Sequence, residues 1–221
     1  MVCDPKEGGE AVMIYSENIL ICLALPLILA AFFTKDSTRR FVVNFLVGMI
    51  ICLLGAYING FIAVASGYGV KNTAVFMSPV VEETLKFLPL LFYFIMFEPE
   101  NDKLFNAAVG IGTGFASYEN VCNMISEGTE SLSFLLIRGL AVGVMHIVSI
   151  FALTLGLVIA KKYKVSGIST LAGALSVSML FHGSYNLLAS GTGPVLIVAF
   201  SLPLVTALIL LYAYNRLQGA E

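Results

Sequence analysis

An all-α polytopic membrane bundle of about seven helices (seven to eight) is the architecture this sequence predicts. Of its 221 residues, 58% are apolar and 12% are charged, against about 45–50% and about 25% in soluble domains. The mean hydropathy is +0.93. The apolar residues fall in runs close to the ~20 residues that a spanning helix needs. Seven such runs and their loops use up the chain, so residues 1–221 read as a single transmembrane domain.

The elements follow in order. Residues 1–10 are acidic and lack the positive segment of a signal peptide, so the first apolar run, 14–33, is expected to be retained. The second, 41–65, carries Gly48, Gly55 and Gly60, which suggests close helix packing or a kink. The third, 79–97, opens with two glutamates. The fourth, 103–125, contains Gly110, Gly112 and Gly114, a small-residue face suited to close approach. The fifth, 132–160, is long and carries Gly139 and Gly143, read the same way. The sixth and seventh are 167–190 and 194–215.

Cation placement predicts an orientation. Lys35, Arg39, Arg40, Lys103, Lys161, Lys162, Lys164 and Arg216 fall on one side of a seven-span chain. Lys6 and Lys71 fall on the other, with Glu127 and Glu130. The expectation is a multi-pass protein with its N-terminus out and C-terminus in, in a prokaryotic plasma membrane. A formal net charge of −2 supplies no basic face for nucleic acid. The absence of a P-loop argues against nucleotide use. Cys3, Cys22, Cys52 and Cys122 show no CxxC spacing, so neither a disulfide framework nor a zinc ribbon is suggested.

Charges inside spans are costly, about 2.5–3.5 kcal/mol each at mid-bilayer on insertion scales, and are functional candidates by default. Here they are Glu82, Glu83 and Lys86 in the third span, Glu119 in the fourth, Arg138 and His146 in the fifth, and His182 in the sixth, accompanied by Asn120 and Asn186. Four spans bring these groups to a similar depth in the outer half of the membrane. Helical spacing stacks Glu82 over Lys86 and His182 over Asn186, both i,i+4 pairs.

Histidines with carboxylates are the ingredients of a hydrolytic metal site. Zinc takes such ligands and keeps one position for water. His146, His182 and Glu119 would ligate, and Glu82 or Glu83 would act as base. A metal-free alternative has glutamate and histidine activating water while His182 and Asn186 stabilise the oxyanion. Elimination narrows the chemistry. The only aspartates, Asp4, Asp36 and Asp102, lie outside the spans, so an aspartyl protease is excluded. His146 is followed by Ile147 and His182 by Gly183, so HExxH is absent. No GxSxG nucleophile motif is present.

Bland readings exist for each residue. Glu82 and Lys86 form an ion pair, Glu83 snorkels, Glu119 pairs with Arg138, and the histidines and asparagines only bond helices together. A reading from another class is a small transporter or channel with a Glu/His proton relay. A third is a non-catalytic scaffold.

The same residues resemble the PrsW family of intramembrane proteases, a relative of the CPBP group that includes the CAAX prenyl endopeptidases. Glu82-Glu83-Thr84-Leu85-Lys86 matches EExxK, and residues 114–120 match GFAxxEN. His146 stands with Arg138 eight residues upstream, and His182 to Asn186 match HxxxN. The resemblance implies an intramembrane endopeptidase with Glu82 and Glu83 essential, Glu119, His146 and His182 completing the site, and Asn186 assisting. Lys86, Asn120 and Arg138 would support it. The CAAX branch carries His where Glu119 stands, which favours the PrsW side over prenylated substrates. The implied substrate is a membrane-anchored protein or peptide in the lipid bilayer, such as an anti-sigma factor, cleaved from the outer face.

Overall fold

A computed structural model of the chain describes residues 15–127, 132–163 and 167–218. Cys3, Lys6, Glu130, Lys164 and residues 1–10 lie outside the described residues. The elements are α1 (Ser16–Phe33), α2 (Asp36–Ser66), α3 (Gly69–Phe76), α4 (Ser78–Phe97), α5 (Asn101–Glu127), α6 (Leu132–Tyr163), α7 (Gly167–Ala189) and α8 (Pro194–Gln218). No strand is found among the described residues. The seven long helices match the seven expected spans. α3 was not expected, being short and carrying Lys71 and Asn72.

By length and composition alone, four helices can cross a membrane: α1, α2, α6 and α8. The other long helices, α4, α5 and α7, carry Glu82, Glu83, Lys86, Glu119 and His182, which dilute their apolar character. The chain is thus an all-α integral membrane bundle. No buried residue lies on α1, and the most apolar stretch of α6 is 61% buried, which makes α6 the central post.

Glycines set how closely the inner helices meet. A Cβ on Gly114 would collide with the Phe45 carbonyl, and one on Gly48 with the backbone of Ile111 and Phe115. One on Gly110 would lie 2.9 Å from Asn44 Cβ and 3.0 Å from the Phe41 carbonyl oxygen. The α2–α5 seam therefore closes backbone on backbone, as small residues allow in a bilayer. Gly112 meets α6 in the same way, its Cβ position lying 3.2 Å from the His146 carbonyl oxygen. The expected small-residue face of Gly139 and Gly143 is not a seam. Gly143 faces open space, and Gly139 meets only Asn120 Nδ2, at 3.9 Å from its Cβ position. Gly60 is likewise open.

The core sits below the polar cluster. Met49, Phe87, Leu90, Leu104, Ile111 and Leu153 interlock from α2, α4, α5 and α6. The basic ends of the helices are tied together. Asn106 Nδ2 donates to Ser37 Oγ at 3.2 Å, Lys161 Nζ to the Pro99 carbonyl at 3.3 Å, and Tyr214 OH to Asp102 at 3.2 Å. Lys35, Arg39, Arg40, Lys103, Lys161, Lys162 and Arg216 thus gather at one end. Lys71, on α3, lies at the opposite one. At that opposite end, Gly67 caps α2 with φ 71 and Gly69 opens α3 with φ 74. Glycine takes this left-handed conformation without the steric cost of a Cβ.

Candidate active site

Four helices converge on one cluster. α4 contributes Glu82, Glu83 and Lys86 from its second turn onward. α5 contributes Glu119, α6 His146 and Ser149, and α7 Ser178 and His182. The rings of His146 and His182 stand edge to face, with centroids 5.0 Å apart. Phe115 covers His146 at 4.7 Å and stacks beneath the Lys86 ammonium at 5.1 Å.

The inner part is dry and fully paired. Glu83, Lys86 and His146 have no exposure, and His182 has 2%. Lys86 Nζ spends its three protons on Glu83 Oε1 at 2.5 Å, Ser149 Oγ at 3.0 Å and His146 Nδ1 at 3.0 Å. Glu83 Oε1 also meets His182 Nδ1 at 2.7 Å, and Ser178 Oγ donates to Glu83 Oε2 at 2.7 Å. Sequence spacing allowed Lys86 to pair with Glu82 or Glu83, and in the fold it takes Glu83. A buried charge pair survives when its remaining donors and acceptors are met, and here they are.

These contacts set the imidazole tautomers. With Nδ1–H given to Glu83, His182 keeps its Nε2 lone pair, which faces Glu82 Oε2 at 3.8 Å. A carboxylate on the far nitrogen is the usual way a metal-binding histidine is oriented. His146 accepts at Nδ1 from Lys86, which leaves its Nε2–H to donate to Glu119 Oε2 in a close contact.

The outer part is open. The side chain of Glu82 is 14% exposed and that of Glu119 is 30% exposed. One ligand atom each from Glu82, His146 and His182 lies within 4.8 Å of the others. A tetrahedral site with 2.0–2.1 Å bonds needs ligand atoms about 3.3 Å apart, so the side chains would draw together by up to about 1.5 Å around an ion. Two histidines and a glutamate form a donor set that catalytic zinc takes. These three residues fit a metal once His146 gives up its Nε2 proton, with Glu119 remaining against that nitrogen.

The remaining expected residues take other places. Asn186 turns to α3, its Nδ2 donating to the Ala74 carbonyl at 3.0 Å. Asn120 Nδ2 reaches the Gly139 carbonyl at 3.4 Å, a weak α5–α6 bond. Arg138 is half-buried on α6, within electrostatic range of Glu119. Sequence reading missed three residues. Ser149 and Ser178 each stand within a turn of a histidine, and that spacing was the available signal. Asn59, an amide inside the apolar α2, donates to Glu82 Oε1 at 3.2 Å.

Comparison with known families places this geometry. The PrsW family intramembrane metalloprotease profile matches residues 37–213, which include all four helices of the cluster. Neither the curated proteins nor the solved structures give a match. The match covers most of the chain, and the chain belongs to the PrsW family of intramembrane metalloproteases.

Proposed function

We propose that this intramembrane protease hydrolyses a peptide bond of a membrane-anchored protein, using zinc held by Glu82, His146 and His182 and water activated by Glu119. The observation that carries this reading is the grouping of Glu82, His146 and His182 ligand atoms within 4.8 Å, with Glu119 bonded to His146 beside them. It exchanges the parts that the sequence suggested for Glu82 and Glu119. Bound zinc lowers the pKa of its water to about 7 and polarises a carbonyl oxygen.

The chain's own residues do the rest. Glu119 is the most open carboxylate of the cluster. His146, on binding metal, would lose the Nε2 proton that Glu119 now accepts, and this carboxylate would be left free to take a proton from attacking water. Glu83 holds His182 by Nδ1, and Lys86 holds both Glu83 and His146. Asn186 ties α7 to α3 through the Ala74 carbonyl. The buried Phe115 ring, packed on His146 and Lys86, keeps water from these contacts and strengthens them.

The N-out/C-in orientation in a prokaryotic plasma membrane belongs to the same proposal. It rests on the basic end described above and places the cluster toward the outer face. The transporter reading has less support. Beyond Ser149 toward the basic end, Thr154 is the only fully buried polar residue on α6 among the described residues, and it bonds its own helix at the Ile150 carbonyl.

Zinc analysis of detergent-purified variants tests the assignment. Wild type and Glu119→Gln are expected to hold about one zinc per chain, with cleavage lost only in the variant. Glu82→Gln is expected to bind zinc far more weakly and to hold well under one per chain. Retention of zinc by Glu82→Gln together with its loss from Glu119→Gln would restore the roles expected from sequence.

A further inference from the structure

We infer that Asn59 is a further positioning residue of the site: its side-chain amide fixes the rotation of the Glu82 carboxylate, so that Oε2 is turned to the histidines. The inference rests on Glu82 being a metal ligand, as proposed above.

Asn59 lies on α2, outside the four helices that supply the cluster. α2 is otherwise apolar over this stretch, and an amide there is costly unless it is bonded. Its Nδ2 donates to Glu82 Oε1 at 3.2 Å. That bond occupies one carboxylate oxygen and leaves the other, Oε2, facing His182 Nε2 at 3.8 Å. One turn earlier, Gly55 brings α2 against the same side chain, its Cβ position lying 3.6 Å from Glu82 Cγ. The two residues form one α2 face that cradles Glu82.

The other half of the amide is telling. Asn59 Oδ1 is buried and has no hydrogen-bond partner among the described residues. An open buried acceptor carries a desolvation penalty. The side-chain bond that Asn59 makes is to Glu82. Groups that orient a ligand in this way typically change metal affinity 10–100-fold when removed.

The test measures zinc dissociation constants on folded, monodisperse protein for wild type, Asn59→Leu, Glu82→Gln and the double variant. Asn59→Leu keeps the branched shape and heavy-atom count of the side chain and removes the donor. It is expected to weaken zinc binding 10–100-fold. In the Glu82→Gln background the same change is expected to add little, because the two residues act through one carboxylate. Unchanged zinc affinity in Asn59→Leu, with affinity lost in Glu82→Gln, would overturn this inference and leave the metal assignment standing. So would equal, additive losses in the two backgrounds. Unaltered zinc affinity in Glu82→Gln would overturn the ligand role of Glu82 and the part of Asn59 with it. If Asn59→Leu fails to fold, Asn59→Ala and Asn59→Ser take its place with the same expectations.

Discussion

Glu83 Oε1 meets His182 Nδ1 at 2.7 Å, joining α4 to α7 across 99 positions of sequence. The same oxygen holds Lys86, so one carboxylate orients a histidine and neutralises the only fully buried ammonium among the described residues. Glu83 is therefore a structural hub, distinct from its neighbour Glu82, which reaches the open part of the site.

Glu83→Gln leaves Lys86 buried without its counter-charge. Removing one partner of a buried pair costs about 3–5 kcal/mol. The expected result is a large drop in thermal midpoint in detergent, with loss of cleavage. The double variant Glu83→Gln, Lys86→Met is expected to regain part of the lost stability, because the stranded charge is gone. Thermal unfolding of both variants checks this, and equal midpoints for the single variant and wild type would refute the hub.

Glu119→Gln keeps shape and volume but removes the proton acceptor. Loss of a general base costs about 10²–10⁴ in rate. A fall of that size in the cleavage rate is expected, with the thermal midpoint little changed, since Glu119 lies at the open side. Rate measurements on a membrane-anchored reporter decide it.

Gly114→Ala is expected to destabilise, because the new Cβ meets the Phe45 backbone, which cannot rotate away. Overpacking costs typically about 1–3 kcal/mol, and a shift of α5 would also carry Glu119 off His146. Gly143→Ala is the matched control. Nothing lies within 4 Å of its Cβ position, so both stability and cleavage should stay near wild type.

Much of this arrangement is legible in the sequence, and the physical reasons separate what is from what is not. The seven long helices are written as apolar runs, because a bilayer demands about 20 apolar residues per crossing. The site residues stand out because charge in such runs is expensive. α3 escapes that logic, since eight residues containing Lys71 and Asn72 neither span a membrane nor form a strong amphipathic pattern. Gly139 and Gly143 have the same small-residue spacing as Gly110 and Gly114, yet only the latter pair meets a backbone. Spacing gives a face, whereas the neighbour opposite it is set by the whole bundle. The choice of Lys86 between Glu82 and Glu83 depends on side-chain rotamers and on Ser149 and Ser178, which sit on other helices. Asn59 went unseen for a related reason, because one amide in an apolar span looks like ordinary helix bonding until Glu82 is placed beside it.

The orientation is open to a direct check. A green fluorescent reporter fused at the C-terminus, which folds only on the cytoplasmic side, should fluoresce. An alkaline phosphatase fused there should be inactive. The reverse pair of results would invert the topology and move the site to the inner face.

Proteoliposomes provide the decisive assay for a zinc-dependent peptidase built from Glu82, Glu119, His146 and His182. Purified protein is reconstituted with a membrane-anchored peptide reporter, and cleavage is followed before chelation, after chelation and after zinc is returned. Chelation is expected to abolish cleavage and zinc to restore it, with no cleavage at any stage by the His146→Ala, His182→Ala variant. Cleavage that persists at full rate after metal removal, or that survives in the double variant, would contradict it.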